Sequence, residues 1–443
     1  MDHVIAARAQ MGTSLAFHIV FAALGVGLPL LVFIAEGLWL RTKRRAYYDL
    51  ARTWAKGMAI LFAVGAVSGT ILSFELGLLW PTFMRYAGSL IGLPFSLEGF
   101  AFFIEAIFIG VYLYGWDRLS PRAHWLSAIP IVISGGLSAG FVTMVNAWMN
   151  MPAGFRIVNG QITDVNPIAA MFSPPWLVED VHAALAAYVL TGFGAAAVCA
   201  LALLRRSAEE RVEQVRAGLT IAMAVAAITI PLQFVVGDTI ARFDAEHEPA
   251  KFASLEALWK TQRYAPVTIG GIVGDGETRY GIEIPGALSW LVSFDPSTEV
   301  TGLDRIPRND QPPVAAVHLS FDSMVGSALL LLLIALAWFV TVLRKRRLSR
   351  WLIIAIAVSG PLSLVALEAG WFVTEFGRQP WIARGLLRTT DAVTVAPGID
   401  VQFYAFSAIY VILGATCWWL LRRVGRSPQA AERKPLAPTP AES

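Results

Sequence analysis

Glu375 lies in the string Gly370-Trp371-Phe372-Val373-Thr374-Glu375-Phe376-Gly377-Arg378-Gln379-Pro380-Trp381, which closes an apolar run beginning near Trp351. A carboxylate at the end of a membrane span costs several kcal/mol unless it meets a cation, a metal or a watered cavity, so it marks a functional position. The bland alternative is an interfacial charge paired with Arg378. A second pattern is Glu98-Gly99-Phe100-Ala101-Phe102-Phe103-Ile104-Glu105. Seven residues make close to two helical turns, so both acids share one face about 10 Å apart along the axis. Glu368 and Glu375 repeat that spacing. Two acids on one face of an apolar helix suit a proton relay, and the competing reading is packing glue bonded to backbone or serine.

Soft and borderline metal ligands complete the set. Of six histidines, the reading places only His18 and His182 inside spans. His18 falls about two turns into the first span, His182 about one turn into the fifth and Met324 about three turns into the seventh. With Glu375 they are expected in the outer half of the membrane. Imidazole, thioether and carboxylate at one depth suit heme iron better than a hard cation. Taken singly, each histidine is equally well a hydrogen-bonding partner for a neighbouring helix, and Met324 a core filler.

The elements that must hold these residues follow from composition. The chain is 56% hydrophobic and 15% charged, with a mean hydropathy of +0.59, against about 25% charged in soluble domains. An all-α integral membrane protein is expected, with nine spans near 12–40, 54–80, 94–116, 124–148, 179–204, 217–240, 314–343, 351–376 and 401–421. Basic residues follow the odd spans: Arg41, Lys43, Arg44, Arg45 and Arg52; Arg118 and Arg122; Arg205, Arg206, Arg211 and Arg216; Arg344, Lys345, Arg346, Arg347 and Arg350; Arg422 and Arg423. Basic loops mark the cytoplasmic side, so the N-terminus is expected outside and the C-terminus inside.

The first apolar segment lacks a basic n-region and an A-x-A site, and reads as a retained span. Cys199 and Cys417 lie in apolar segments and no C-x-x-C-H is present, so neither a disulfide framework nor covalently attached heme is expected. A net charge of +3 argues for no nucleic-acid partner; the lipid bilayer is the expected surrounding. The organisation expected is spans one to six over 1–240, an outer loop over 241–313, spans seven to nine over 314–424 and a disordered tail over 425–443. A further outer loop covers 149–178. In the 241–313 loop, Lys251 and Glu256 by themselves read as a solvated charge pair.

Together these pieces resemble subunit I of the cytochrome bd-type quinol oxidases. The motifs are GWFVTEFGRQPW, Phe17-His18, LEGFAFFIEAIFIGVYLYGWDRL at 97–119, Asn146-Ala147-Trp148-Met149, Val181-His182 and Lys251…Glu256-Ala257-Leu258-Trp259, in order over residues 1–421. The resemblance implies that His182 and Met324 ligate a low-spin heme b, a pair that raises reduction potential. His18 and Glu375 would ligate two high-spin hemes, one heme b and one heme d. Lys251 and Glu256 match the quinol-site positions of the outer loop, the Q-loop, in a short version. Glu98 and Glu105 match proton-delivery positions, and Trp371 and Arg378 signature positions near the hemes. Asp322 departs from the family's arginine and is expected to lower the low-spin potential. The implied partners are a second large subunit, a very small single-span subunit, ubiquinol or menaquinol, and oxygen. The implied site is a bacterial cytoplasmic membrane and the activity electrogenic quinol:oxygen oxidoreduction.

Two other classes are weighed. An electron-transfer cytochrome b anchoring a dehydrogenase needs paired histidines for bis-imidazole hemes. A secondary transporter using the intramembrane acids favours inverted repeats or broken helices, and neither is visible.

Overall fold

A computed structural model describes residues 3–205, 211–274 and 276–426. Among these, nine helices are long and apolar enough to cross a membrane. They are α1 (His3–Thr42), α2 (Arg45–Leu79), α3 (Pro81–Tyr114), α4 with α5 (Pro121–Leu126 and Ala128–Asn150), α7 (Trp176–Leu204), α8 (Val212–His247), α11 (Val314–Leu343), α12 (Arg350–Gly377) and α14 (Ile399–Arg426). The short helices α6 (Pro167–Met171), α9 (Pro249–Leu255), α10 (Ala287–Ser293) and α13 (Thr389–Ala392) lie in connections. Most of the expected disordered tail lies outside the described residues.

Helix boundaries have local causes. Pro81 and Pro121 open α3 and α4 at positions whose N–H has no intrahelical partner, and the Ser120 and Ser349 hydroxyls cap α4 and α12. Several helices begin or end beyond the apolar runs read from sequence. The clearest case is α8, whose polar turn Arg242–His247 stays helical, so the outer loop starts at Glu248 and not at 241.

The main core lies where α1 meets α2 and α7, α7 meets α8 and α12, and α11 meets α12; Leu31, Ala55, Phe193, Met223 and Ile356 are buried there. With lipid outside, burial of apolar surface does little to hold helices together, and close backbone approach does more. At Gly360 an added Cβ would stand 2.7 Å from Ala197 Cβ. The C-terminal ends of α1 and α3, with α4, carry a fully buried polar knot. Tyr112 Oη donates to Glu36 Oε2 at 2.5 Å, His124 Nδ1 faces Glu36 Oε1 at 2.7 Å, and His124 Nε2 faces the Tyr112 carbonyl at 2.8 Å.

The loop after α8 is built from α9, α10 and two antiparallel hairpins. Strand β1 (Val267–Ile269) pairs with β4 (Ile282–Ile284), enclosing β2 (Ile272–Val273) paired with β3 (Thr278–Arg279). His318 fastens this loop to α11: Nδ1 faces the Leu255 carbonyl at 2.7 Å and Nε2 the Gly270 carbonyl at 3.1 Å. His124 and His318 thus both belong to span helices, contrary to the sequence expectation. Both positions already fall within the first turns of the spans read from sequence, 124–148 and 314–343.

Candidate functional site

A cavity of about 440 Å³ lies between α5, α7, α8, α11, α12 and the loop that follows α8. It is lined by His182 and Met324, by Lys251 and Glu256, and by Trp371. Five residues selected from separate parts of the sequence therefore border one space. The imidazole of His182 stands beside Gly237, where an added Cβ would come within 3.5 Å of Cε1. Its Nε2 lies 3.0 Å from Gln233 Nε2, and its buried Nδ1 has no hydrogen-bond partner. Met324 Sδ faces Gly370, whose added Cβ would approach to 3.1 Å. An imidazole and a thioether on an apolar wall, each beside a glycine, are a donor set that suits heme iron.

Trp371 borders this cavity and also packs in the apolar cluster containing Ile19, the neighbour of His18. It stands between the His182 cavity and α1. His18 Nδ1 lies 3.0 Å from Ser68 Oγ, and Gly69 leaves room at Cε1, where a Cβ would reach 2.9 Å. A ring held in orientation by a hydrogen bond through Nδ1 is the arrangement metal-binding histidines use.

Glu375 accepts from Arg378 Nη2 at 2.6 Å, with 31% of its side chain exposed. The pair weighed as the bland alternative is therefore present. It is also part of something larger. Arg378 is buried; its Nη1 donates to Asn146 Oδ1 at 2.9 Å and Asn150 Oδ1 at 3.1 Å, while its Nε is left without a partner. A buried unpaired guanidinium N–H beside a carboxylate fits an anionic group such as a heme propionate. Glu98 accepts from Ser138 at 3.1 Å, and Glu105 is buried on the same face of α3 against Gly135. Both Glu368 carboxylate oxygens are buried without partners.

The outer-loop pair is not solvated, as read from sequence, but buried, with 5% exposure for each residue. Nor are the two paired with each other. Lys251 Nζ meets Asp244 at 3.0 Å and Glu248 at 3.6 Å, and its stem crosses Gly377, where a Cβ would stand 2.8 Å from Lys251 Cγ. Burial alone would lower the Lys251 pKa, but Asp244, Glu248 and Glu179 together hold it above the ordinary lysine range. Glu256 has no such cation. Burial and, after it, the charge of Asp322 push its pKa up to about 8, and its Oε2 has no partner. Asp322 itself accepts from Gly270 N–H at 2.6 Å and faces His318 Nε2 at 3.4 Å.

Sequence reading missed Asp244, Glu248, Glu179 and His318. Asp244, Glu248 and Lys251 recur at i, i+4 and i+7, an ion-pair spacing legible only once α8 is known to run to His247.

A family model described as cytochrome bd terminal oxidase subunit I matches residues 6–428. The chain is 39% identical over 426 residues to a Bacillus subtilis (strain 168) protein provisionally named as a cytochrome bd menaquinol oxidase subunit I, covering 95% of this chain and 96% of that one. It is 31% identical over 448 residues to cytochrome bd ubiquinol oxidase subunit 1 of the same strain, covering 96% and 93%. Among solved structures, the bd oxidase from Geobacillus thermodenitrificans superposes with a TM-score of 0.90 at 38% identity, over 96% of this chain and 98% of that one.

Proposed function

This chain belongs to the cytochrome bd terminal oxidase subunit I family, and we propose that it is the heme-bearing subunit of a quinol:oxygen oxidoreductase in a bacterial cytoplasmic membrane. The observation that carries the reading is one cavity bordered by His182 and Met324 along the spans and by Lys251 and Glu256 from the outer loop. His182 and Met324 would hold the low-spin heme b, and His18 and Glu375 the high-spin heme b and heme d. When bound, these groups supply one-electron transfer and the iron at which oxygen is reduced.

The residues of the chain do the rest. A quinol hydroxyl in the cavity meets Glu256, whose pKa of about 8 lets it both accept and release a proton near neutrality. Lys251 orients the head group with the N–H that Asp244 and Glu248 leave free. Trp371 keeps this cavity apart from the space around His18. Glu98 and Glu105 would pass protons along α3 from the cytoplasmic side. The basic loops put Lys251 and Glu256 outside. Quinol protons are then released outside and consumed protons drawn from within, which builds a protonmotive force without a pump. A second large subunit and a very small one would complete the complex, with ubiquinol or menaquinol as donor.

The test is the purified complex. It should show a d-type heme absorption and quinol-dependent oxygen uptake, and absence of both would refute the reading. His182→Ala should abolish the low-spin heme signal in the pyridine hemochrome and reduced spectra; survival of that signal would reject this ligand.

A further inference from the structure

Glu179 opens α7 and faces two asparagines one turn apart on α5. Asn150 Nδ2 donates to its Oε1 at 2.9 Å and Asn146 Nδ2 to its Oε2 at 3.0 Å. The opposite end of each amide accepts from the same atom, Arg378 Nη1, at 2.9 and 3.1 Å. An asparagine amide has one donating and one accepting end. Whatever fixes its nitrogen therefore fixes where its oxygen points. Here a carboxylate takes both nitrogens, so both oxygens must turn to the guanidinium, which is then left with Nη2 for Glu375 at 2.6 Å. Glu179 is also one of the three acids acting on Lys251.

We infer that Glu179 is a positioning residue: through Asn146 and Asn150 it sets the direction of Arg378, and so the orientation of Glu375, from a point that also touches the field of Lys251. The inference rests on the reading of Glu375 as an iron ligand only for its spectroscopic consequence. The geometric claim stands on the hydrogen bonds alone.

Glu179→Gln is the sharp perturbation, because it keeps shape and replaces one acceptor by a donor. One asparagine must then flip, turning an N–H toward Arg378 Nη1. The purified complex should keep its hemes, lose ~10-fold or more in kcat, hold its quinol KM within about twofold, and shift the absorption of the heme assigned to Glu375. The double variant E179Q/N150D moves the carboxylate one step along the chain of bonds. The acid introduced at position 150 accepts from both the new amide and Arg378, while Asn146 keeps its orientation. It should restore kcat and spectrum together. A merely structural staple, or an effect through Lys251 alone, would not be repaired this way.

A spectrum and kcat of E179Q equal to the parent's overturns the inference, as does a double variant no better than the single one with hemes retained in both. If E179Q fails to assemble, Asn150→Ala removes one arm and carries the same test: a shifted spectrum supports the inference and an unshifted one overturns it. A structure of the variant complex reads the point without activity. The Arg378–Glu375 contact should lengthen in E179Q and return in E179Q/N150D. A parent complex without hemes refutes the functional reading, and the contact distances still decide this inference.

Discussion

Replacing Glu256 by Gln should abolish quinol oxidation yet stabilise the complex increasingly as pH rises from about 4.5 to about 8, reaching about 3 kcal/mol at pH 7. The magnitude follows from burial. Glu256 is 5% exposed, with its pKa pushed from 4.5 to about 8 by desolvation and by Asp322. A raised folded-state value means that the native protein holds a proton the unfolded chain has lost. The stability this gives is complete below pH 4.5, declines through the interval and is gone once pH passes about 8. Each pH unit in that interval costs about 1.4 kcal/mol, and pH 7 lies 2.5 units above the unfolded value. Gln does not titrate, so the variant escapes the decline. Placed at the partnerless position of Oε2, its amide N–H costs about 1–3 kcal/mol, an offset that does not depend on pH. The slope is therefore the measurement: thermal unfolding of the detergent-solubilised complex at pH 5, 6, 7 and 8, parent against variant. A difference that stays constant across this range, or shrinks as pH rises, refutes the reasoning.

Two further outcomes follow from the same cluster. Lys251→Met should destabilise the complex by about 3–5 kcal/mol, because Asp244 would remain buried without its cation and Glu248 would keep only Arg384 at 3.5 Å; denaturant unfolding checks it, and a loss under about 1 kcal/mol would show that the buried acids do not depend on Lys251. Asp322→Asn keeps an acceptor for Gly270 N–H but removes the charge that raises Glu256, so the pH profile of quinol oxidation should move to lower pH; an unmoved profile would count against that coupling.

Hydropathy located the nine long helices of the described residues because lipid demands about 20 apolar residues per crossing, and the seven-residue spacing of Glu98 and Glu105 was enough to set both on one face. The interior electrostatics were less legible. Lys251 looked solvated because its counter-charges, Asp244 and Glu248, seemed to belong to a loop; they pair with it only because α8 continues past its apolar stretch. Glu179 resembled an ordinary acid in the first turn of a helix, and nothing in its neighbours announces two asparagines on another span. Asp322 stood out as a change of charge beside Met324, but its hydrogen bond from Gly270, 52 residues away, has no signal in the spacing.

The knot of Glu36, Tyr112 and His124 bears on how the chain is made. Glu36 and His124 are separated by 88 residues, so at ordinary synthesis rates the first helix waits roughly 4–18 s for its counter-group to leave the ribosome. For most of that interval, until Tyr112 follows 76 residues behind, the membrane-insertion machinery must carry an acid with no partner from this knot. Chains stopped before position 124 should therefore be poorer substrates for stable insertion, and better ones for quality-control proteolysis, than chains stopped just after α4 has followed.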